Sequence, residues 1–360
     1  MSEESSASAD SAPDTETSPD PAPEGESAAF DRRSLAKGLV GFTIAGLLLY
    51  LLGSVVGWEE IITTLADADP LWVAIACLST LAYLLAWTKT WEVVLTAGAI
   101  SVSYPRLVPT FFAATFANYT TPFGQAGGEP FIAYVLATDT EASYEQALAS
   151  VSTADLLNLL PFFSFAALGL AALVLTGEIP PGTQPLVIGL AGIAVGVPLI
   201  VLVGWYRRDL IEGAIMGVTG PVVRRTDRFS PEGVRERVDG FYDQLGRIAS
   251  DPRELLVAVT FSFVGWVFFA LPLYFAALAL SLPLDPLLVV FLVPASSLAG
   301  ITPTPGGLGG VEAALVALVV ALTPIAAGPT AALAIAYRAT SYWFALAVGG
   351  PMALYVTARA

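Results

Sequence analysis

The sequence predicts an all-α fold, a polytopic membrane helix bundle of about six full spans plus two re-entrant helical hairpins in an inverted repeat. Three observations carry that expectation. First, 55% of the 360 residues are hydrophobic and only 13% are charged, and several apolar runs reach the roughly 20 residues that cross about 30 Å of hydrocarbon. Second, two glycine-rich segments of similar sequence interrupt the apolar runs, and each closes on a glutamate. They are Thr121-Pro122-Phe123-Gly124-Gln125-Ala126-Gly127-Gly128-Glu129 and Thr302-Pro303-Thr304-Pro305-Gly306-Gly307-Leu308-Gly309-Gly310-Val311-Glu312. Broken helices at membrane depth leave backbone groups that hydrocarbon cannot satisfy, so they survive only inside protein or beside water. A matched pair of them points to a transporter's binding site. Third, the basic residues cluster in alternate connections, as the positive-inside rule requires of a spanning protein.

Residues 1–34 are expected to form a disordered acidic tail. Positions 1–30 hold eight acids and no base and are rich in Ser, Pro and Ala, a composition that cannot bury a core. The net charge of −15 owes much to this tail; the remaining acid excess reads as a matter of solubility and suits a high-salt medium. The membrane domain is placed at 35–357. Its apolar runs are 38–57, 70–88, 107–120, 130–138, 146–176, 186–205, 254–280, 287–302, 311–324 and 329–357. The run 130–138 is too short to span and 311–324 is marginal, so 107–138 and 287–324 read as hairpins.

Arg32, Arg33 and Lys37 precede the first run, Lys89 and Arg106 follow the second, nine arginines lie in 206–253, and Arg359 ends the chain. Both termini are therefore expected in the cytoplasm, with the first hairpin entering from that side and the second from outside. The base-free connections 58–69, 177–185 and 281–286 fall outside. Of the 16 bases only Arg338 is not cytoplasmic in this arrangement. Trp58, Trp72, Trp87, Trp91 and Trp205 are expected near the interfaces, with Trp266 and Trp343 deeper. In the cytoplasmic loop 206–253, Ser230-Pro231-Glu232 is a helix-start signal. Val234, Val238, Phe241, Leu245 and Ile248 then share one helical face. That helix either lies in the interface or packs as a small lid on the bundle.

Chemistry is bounded by what is missing. The chain has no histidine and one cysteine, Cys77, which excludes disulfides, Ser-His dyads and the common metal sites. The glycine run lacks the Lys of a phosphate-binding loop and no strand precedes it. No metal, cofactor or nucleic acid is expected. The ionisable residues inside apolar runs are Glu129, Asp155, Glu312 and Arg338, and such residues are costly in a bilayer. Each glutamate is expected to open a half-helix, with Pro130 at a first helical position. There it either caps free N–H groups or faces a midplane cavity and handles a polar headgroup, a cation or protons. Arg338 either neutralises Glu312 or Asp155 or grips a phosphate. Asp155 carries the same two readings, and Asn158 lies three residues further along the same face. Gly127, Gly128, Gly306, Gly307, Gly309 and Gly310 permit close backbone approach to a bound group. Together these are the candidate substrate-binding residues.

The run Pro305–Glu312 followed by Arg338, with Gly127-Gly128-Glu129-Pro130 upstream, resembles the two signatures of the lysylphosphatidylglycerol synthase/flippase transmembrane family over about residues 35–357. The resemblance implies a polytopic bundle with paired re-entrant elements and lipid translocation as its activity. Some relatives carry an attached aminoacyl-transferase or glycosyltransferase domain, and no such stretch stands in this sequence. The family often has arginine three residues after the first glutamate, where this chain has Ile132. The resulting expectation is a flippase-like transporter, not an enzyme, acting on an aminoacylated or polyprenyl-phosphate-linked lipid in the cell membrane. A secondary transporter of solutes or ions using the same cavity, or a non-transporting partner of a separate lipid-modifying transferase, are the alternatives.

Overall fold

The structure is a computed structural model that describes residues 32–121, 125–140, 142–176, 251–302 and 304–359, with scattered positions in 184–199 and 243–250. The tail 1–31, most of the run 186–205 and the helix expected after Ser230 lie outside the described residues. Among those described there is no strand.

The first apolar run forms α1 (Arg32–Val56), which meets α2 (Trp58–Ala66) at a bend of 95°. Gly57 makes the corner with φ 110, a conformation that L-residues avoid. The connection 58–69, expected as a loop, is therefore mostly helix. Glu59 and Glu60 stand in its favourable first turn, and Ile61 is buried against the core.

Next comes α3 (Pro70–Ala97), begun by Asp69, whose carboxylate accepts the Leu71 N–H at 2.8 Å, and by Pro70 at the first helical position. The first hairpin is α4 (Tyr104–Thr120) and α5 (Gln125–Asp139). The run 146–176 is two helices, α6 (Tyr144–Leu157) and α7 (Leu159–Thr176), broken at Asn158. After the long connection, α8 (Pro252–Ala279) starts as α3 does, with Asp251 accepting from Arg253 N–H and Glu254 N–H and proline following it. The second hairpin is α9 (Pro286–Ser297), a 3₁₀ turn (Leu298–Ile301) and α10 (Gly310–Leu322). The final run is α11 (Ala327–Arg338), a π turn (Ala339–Trp343) and α12 (Phe344–Thr357).

Among the described residues, four stretches are long and apolar enough to cross a membrane (70–97, 146–175, 252–279 and 327–357), and the bent pair α1–α2 is a fifth candidate. Trp91, six residues before the end of α3, faces the bundle: it is 2% exposed and packs edge-on against Phe111 at 4.9 Å.

The core is organised about the α3–α8 pair, the most extensive helix contact among the described residues. The two run antiparallel. Trp72 stacks on Phe275 at 5.9 Å, Ser79 Oγ donates to Phe268 O at 2.8 Å, and Thr90 Oγ1 donates to Ala258 O at 3.4 Å. At their crossing Tyr83, Trp87, Trp266 and Phe269 form an edge-to-face cluster. Gly265 gives it room, for a Cβ there would lie 2.2 Å from Trp87 Nε1.

Around this pair the packing repeats. The α4–α12 contact is matched by α9–α7, α5–α6 by α10–α11, α4–α5 by α9–α10, α3–α4 by α8–α9, and α3–α6 by α8–α11. Elements α3–α7 thus find the same neighbours as α8–α12.

Candidate functional site

The second glycine segment builds a buried ionic centre from backbone upward. Past the 3₁₀ turn, Thr302 is extended, and Gly306, Gly307 and Gly309 adopt φ of 56, 67 and 84. Thr304, itself buried, donates to Leu308 O at 2.9 Å and pairs with Thr302 Oγ1 at 3.0 Å. These bonds satisfy part of the unwound backbone, which lipid cannot.

Helix α10 then starts at Gly310. Glu312, in its first turn, folds back so that Oε2 accepts the Gly309 N–H at 2.6 Å. This fills one of the four N–H groups a helix start leaves without partners.

Glu312 is 2% exposed, and a carboxylate that deep requires a counter-charge. Arg338 supplies it from the end of α11: Nε donates to Glu312 Oε1 at 2.8 Å and Nη2 donates to Gly306 O at 2.7 Å. The guanidinium also lies over the Tyr342 ring, 4.3 Å from its centroid, a cation–π contact. Tyr342 is held in turn by its hydroxyl, which donates to Tyr119 O at 2.9 Å. Tyr119 and Tyr83 hydroxyls lie 3.4 Å apart. The two hairpins are therefore tied through one tyrosine. Gly306 is obligatory in this arrangement, because a Cβ there would sit 2.1 Å from Tyr342 Cε2.

The π turn follows Arg338 directly and displaces Tyr342 into register beneath it. Its Thr340 carbonyl is satisfied from outside the helix by Thr80 Oγ1 at 2.8 Å. Such turns mark functional sites in many helices. Two of Arg338's five N–H donors are engaged by Glu312 and Gly306, and its side chain keeps 11% exposure.

The first glycine segment differs from what its sequence suggests. Helix α5 begins at Gln125, so Gly127 and Gly128 are helical rather than unwound. Glu129 stands in the second turn, and Pro130 is internal instead of at the first helical position. Near a helix start a proline forfeits a single N–H bond, and helices embedded in other helices tolerate it, as α4 does at Pro109 and α8 at Pro272.

Glu129 is half-buried, and its Oε2 accepts from Ser152 Oγ at 3.3 Å. Asp155, half-buried, stands about one turn beyond Ser152 on the same helix. No base joins them among the described ion pairs. Asn158 does not share the site with Asp155. Its carbonyl and amide oxygens accept from Trp266 Nε1 and Ser262 Oγ, which fasten the α6–α7 break to α8.

Glu129 and Glu312 therefore have separate partners among the described residues. Ile132 is 1% exposed, in the same buried cluster as Trp91 and Phe111, and offers a phosphate nothing. Sequence reasoning missed Tyr119 and Trp91. The only signal for Tyr119 was its place just before the Thr121-Pro122 breaker.

Towards one end of the α3–α8 pair, a cleft of about 330 Å³ is lined by Lys89, Glu92, Asp251, Arg253 and Glu254. Lys89 and Glu92 form an ion pair there.

The chain matches the family model described as the lysylphosphatidylglycerol synthase TM region over residues 38–349. It is 30% identical over 347 residues to a UPF0104 membrane protein of Methanothermobacter thermautotrophicus, covering 92% of this chain and 97% of that protein. A second UPF0104 membrane protein of the same organism is 26% identical, over 87% of this chain and 94% of its own length. The glycosyltransferase AglD of Haloferax volcanii is 26% identical over 83% of this chain but only 50% of its own length.

Proposed function

This chain belongs to the lysylphosphatidylglycerol synthase transmembrane family, and we propose that it is a flippase-like transporter that moves a polar-headgroup lipid between leaflets. The observation that carries the reading is Arg338. It is a guanidinium enclosed by a glycine-built carbonyl, a carboxylate and an aromatic face, inside an integral membrane protein and beside a broken helix. A planar fork of that kind suits a phosphate oxygen pair.

In this mechanism a headgroup phosphate takes over donors that Glu312 and the Gly306 carbonyl now hold. Glu312 stays anchored by the Gly309 N–H while the exchange occurs. The acyl chains remain in lipid, and the two hairpins, tied through Tyr342 and Tyr119, change access together. Aminoacylated and polyprenyl-phosphate-linked lipids both present the required anion. With His absent from the sequence and the carboxylates engaged as described, transport is a better use of this site than catalysis.

The mixed-charge cleft at Lys89, Glu92 and Arg253 supports a water-facing, cytoplasmic end for α3 and α8. By parity, both termini of the chain are then cytoplasmic in the cell membrane.

A second reading has one observation in its favour. A relative named a glycosyltransferase is matched over half its length, which suits a membrane partner for a separate lipid-modifying transferase. The deciding experiment reconstitutes the full chain in vesicles with fluorescent lipids of differing headgroups and follows leaflet exchange by dithionite quenching. The expected result is acceleration for a phosphate-bearing lipid, abolished in Arg338→Lys. Exchange no faster than in empty vesicles for every headgroup would leave the partner reading standing.

A further inference from the structure

The charge pattern of the two halves matches in position and differs in sign. Glu129 and Glu312 are 183 positions apart, and so are Asp155 and Arg338. Helices α6 and α11 begin at Tyr144 and Ala327, again 183 apart, while α3 and α8 begin at Pro70 and Pro252 and are both 28 residues long. Both long spans are interrupted just after the charged residue, at Asn158 in one half and in the π turn Ala339–Trp343 in the other.

The corresponding helices α3 and α8 pack antiparallel, and their neighbours exchange in the same order. An in-plane pseudo-two-fold axis near Tyr83 and Gly265 accounts for all of this. Asp155 therefore occupies, in the first half, the place that Arg338 occupies in the second. Where Glu312 pairs with the Arg338 guanidinium, the corresponding position beside Glu129 is a second carboxyl.

We propose that Glu129 and Asp155 hold one exchangeable proton between them, and that this pair, not Glu312, is the coupling site of the transporter. The proposal rests on the transport reading given above.

Ser152 on α6 donates to Glu129, and Asp155 stands about one turn further along the same helix; two carboxyl groups brought together in this way attract only if one of them carries a hydrogen, and as two anions they repel. A second feature points to the same exchange. Trp91, 2% exposed, packs in the cluster that holds Val151 and Ala154 of α6, the helix that carries Asp155, and its Nε1 has no hydrogen-bond partner. A buried donor left open in this way is a docking place for the Asp155 carboxylate once the shared proton leaves. Release breaks the O–H bond, sends the proton to water and leaves two carboxylates. Asp155 then turns to Trp91 Nε1, and Glu129 keeps Ser152 Oγ.

The charges around the pair are few. Glu129 on α5 is the one charged group acting on Asp155 among the described residues. From α3 comes neutral Trp91, while Lys89 and Glu92 pair with each other. From α8 come neutral Ser262 and Trp266, which bind Asn158. Glu312 is unsuited to the same task, since both its oxygens are committed to Gly309 and Arg338.

Infrared difference spectroscopy of the full chain in lipid nanodiscs tests this without any transport assay. Exposed carboxyls titrate near pH 4, so a protonated-carboxyl carbonyl band that persists at pH 7 and shifts in D₂O reports a sequestered proton. The expected result is such a band in the natural chain, lost in both Glu129→Gln and Asp155→Asn and retained in the exposed control Glu59→Gln. Carboxyl-¹³C labelling of aspartate and glutamate in the unsubstituted protein assigns the band even if a variant misfolds.

No band at pH 7, a band that survives Asp155→Asn, or a band removed by Na⁺ at constant pH would overturn the proposal. Because nothing here depends on lipid movement, a missing band sinks the proton site alone. Failed leaflet exchange in the natural protein sinks the transport reading alone.

Discussion

The Arg338–Glu312 centre makes a quantitative demand. Glu312 is 2% exposed and Arg338 11% on the side chain, so removing one partner leaves the other as an uncompensated charge in a low-dielectric interior. Arg338→Met deletes the bond to Glu312 Oε1, the bond to the Gly306 carbonyl and the stack on Tyr342. Breaking a buried pair from one side costs about 3–5 kcal/mol, which is roughly two to nearly four decades in the folding equilibrium constant at about 1.4 kcal/mol per decade.

Glu312→Gln strands the guanidinium instead and belongs in the same range. In the double variant Glu312→Gln/Arg338→Met neither charge remains. The introduced glutamine can still accept from Gly309 N–H through its amide oxygen, so the loss falls to about 1–2 kcal/mol, that of ordinary hydrogen bonds. The coupling between the two sites is thus about 4 kcal/mol at the least. Equilibrium unfolding in mixed micelles, followed by tryptophan fluorescence and by trapping of the unfolded chain, measures all four corners of the cycle. Single-variant losses that simply add, with coupling below about 0.5 kcal/mol, would show that water or lipid headgroups already screen the pair and would refute its burial.

Two further outcomes follow from close backbone approaches. Gly307→Ala puts a side chain at φ 67 with its Cβ 2.6 Å from Gly300 Cα. The opposing atom is backbone and cannot yield, so left-handed strain of about 1–2 kcal/mol adds to overpacking of about 1–3 kcal/mol; the same unfolding measurement reads it, and a neutral result would mean that the segment is not held in this turn. Gly265→Ala drives its Cβ against the Trp87 indole at 2.2 Å, in the α3–α8 crossing, and is expected to cost about 1–3 kcal/mol. A changed near-ultraviolet circular dichroism from the Tyr83–Trp87–Trp266–Phe269 cluster should accompany the loss.

Much of this architecture can be read in the sequence, for identifiable reasons. Hydrocarbon thickness sets a minimum length for spans, so the runs around 70–97, 252–279 and 327–357 stand out. Buried charge is costly, so Glu312 and Arg338 draw attention as soon as the runs are marked, and their pairing is the simplest way to relieve the cost. The glycines at 306, 307 and 309 announce positive φ because the prolines beside them forbid a continuous helix.

Other features have no local signature. The 95° bend at Gly57 depends on where α2 finds the flank of α11. The start of α5 at Gln125 overrides the proline signal in a helix that packs along α4 and α6. Tyr119 and Trp91 look like any other aromatic in an apolar run until the fold brings them to Tyr342 and Asp155.

The spacing of 183 was present in the sequence throughout, but the residues it relates are a base and an acid. Sequence similarity rewards like for like, so a sign inversion hides the correspondence. That inversion also has a physical consequence. On an inverted repeat with identical charges in both halves, the inward-open and outward-open states would be exchanged by the pseudo-two-fold axis and would differ little in energy. A guanidinium fixed beside one glutamate and a removable proton beside the other break that degeneracy. The second half carries its own counter-charge on the chain, while in the proposal the first half draws its compensation from an exchangeable proton. A ligand shifts a two-state equilibrium only by its differential affinity for the two states. A proton bound at Glu129–Asp155 is such a ligand if that pair is exposed to water in one state and closed in the other. The matching backbone would then supply the two states and the mismatched side chains the bias between them.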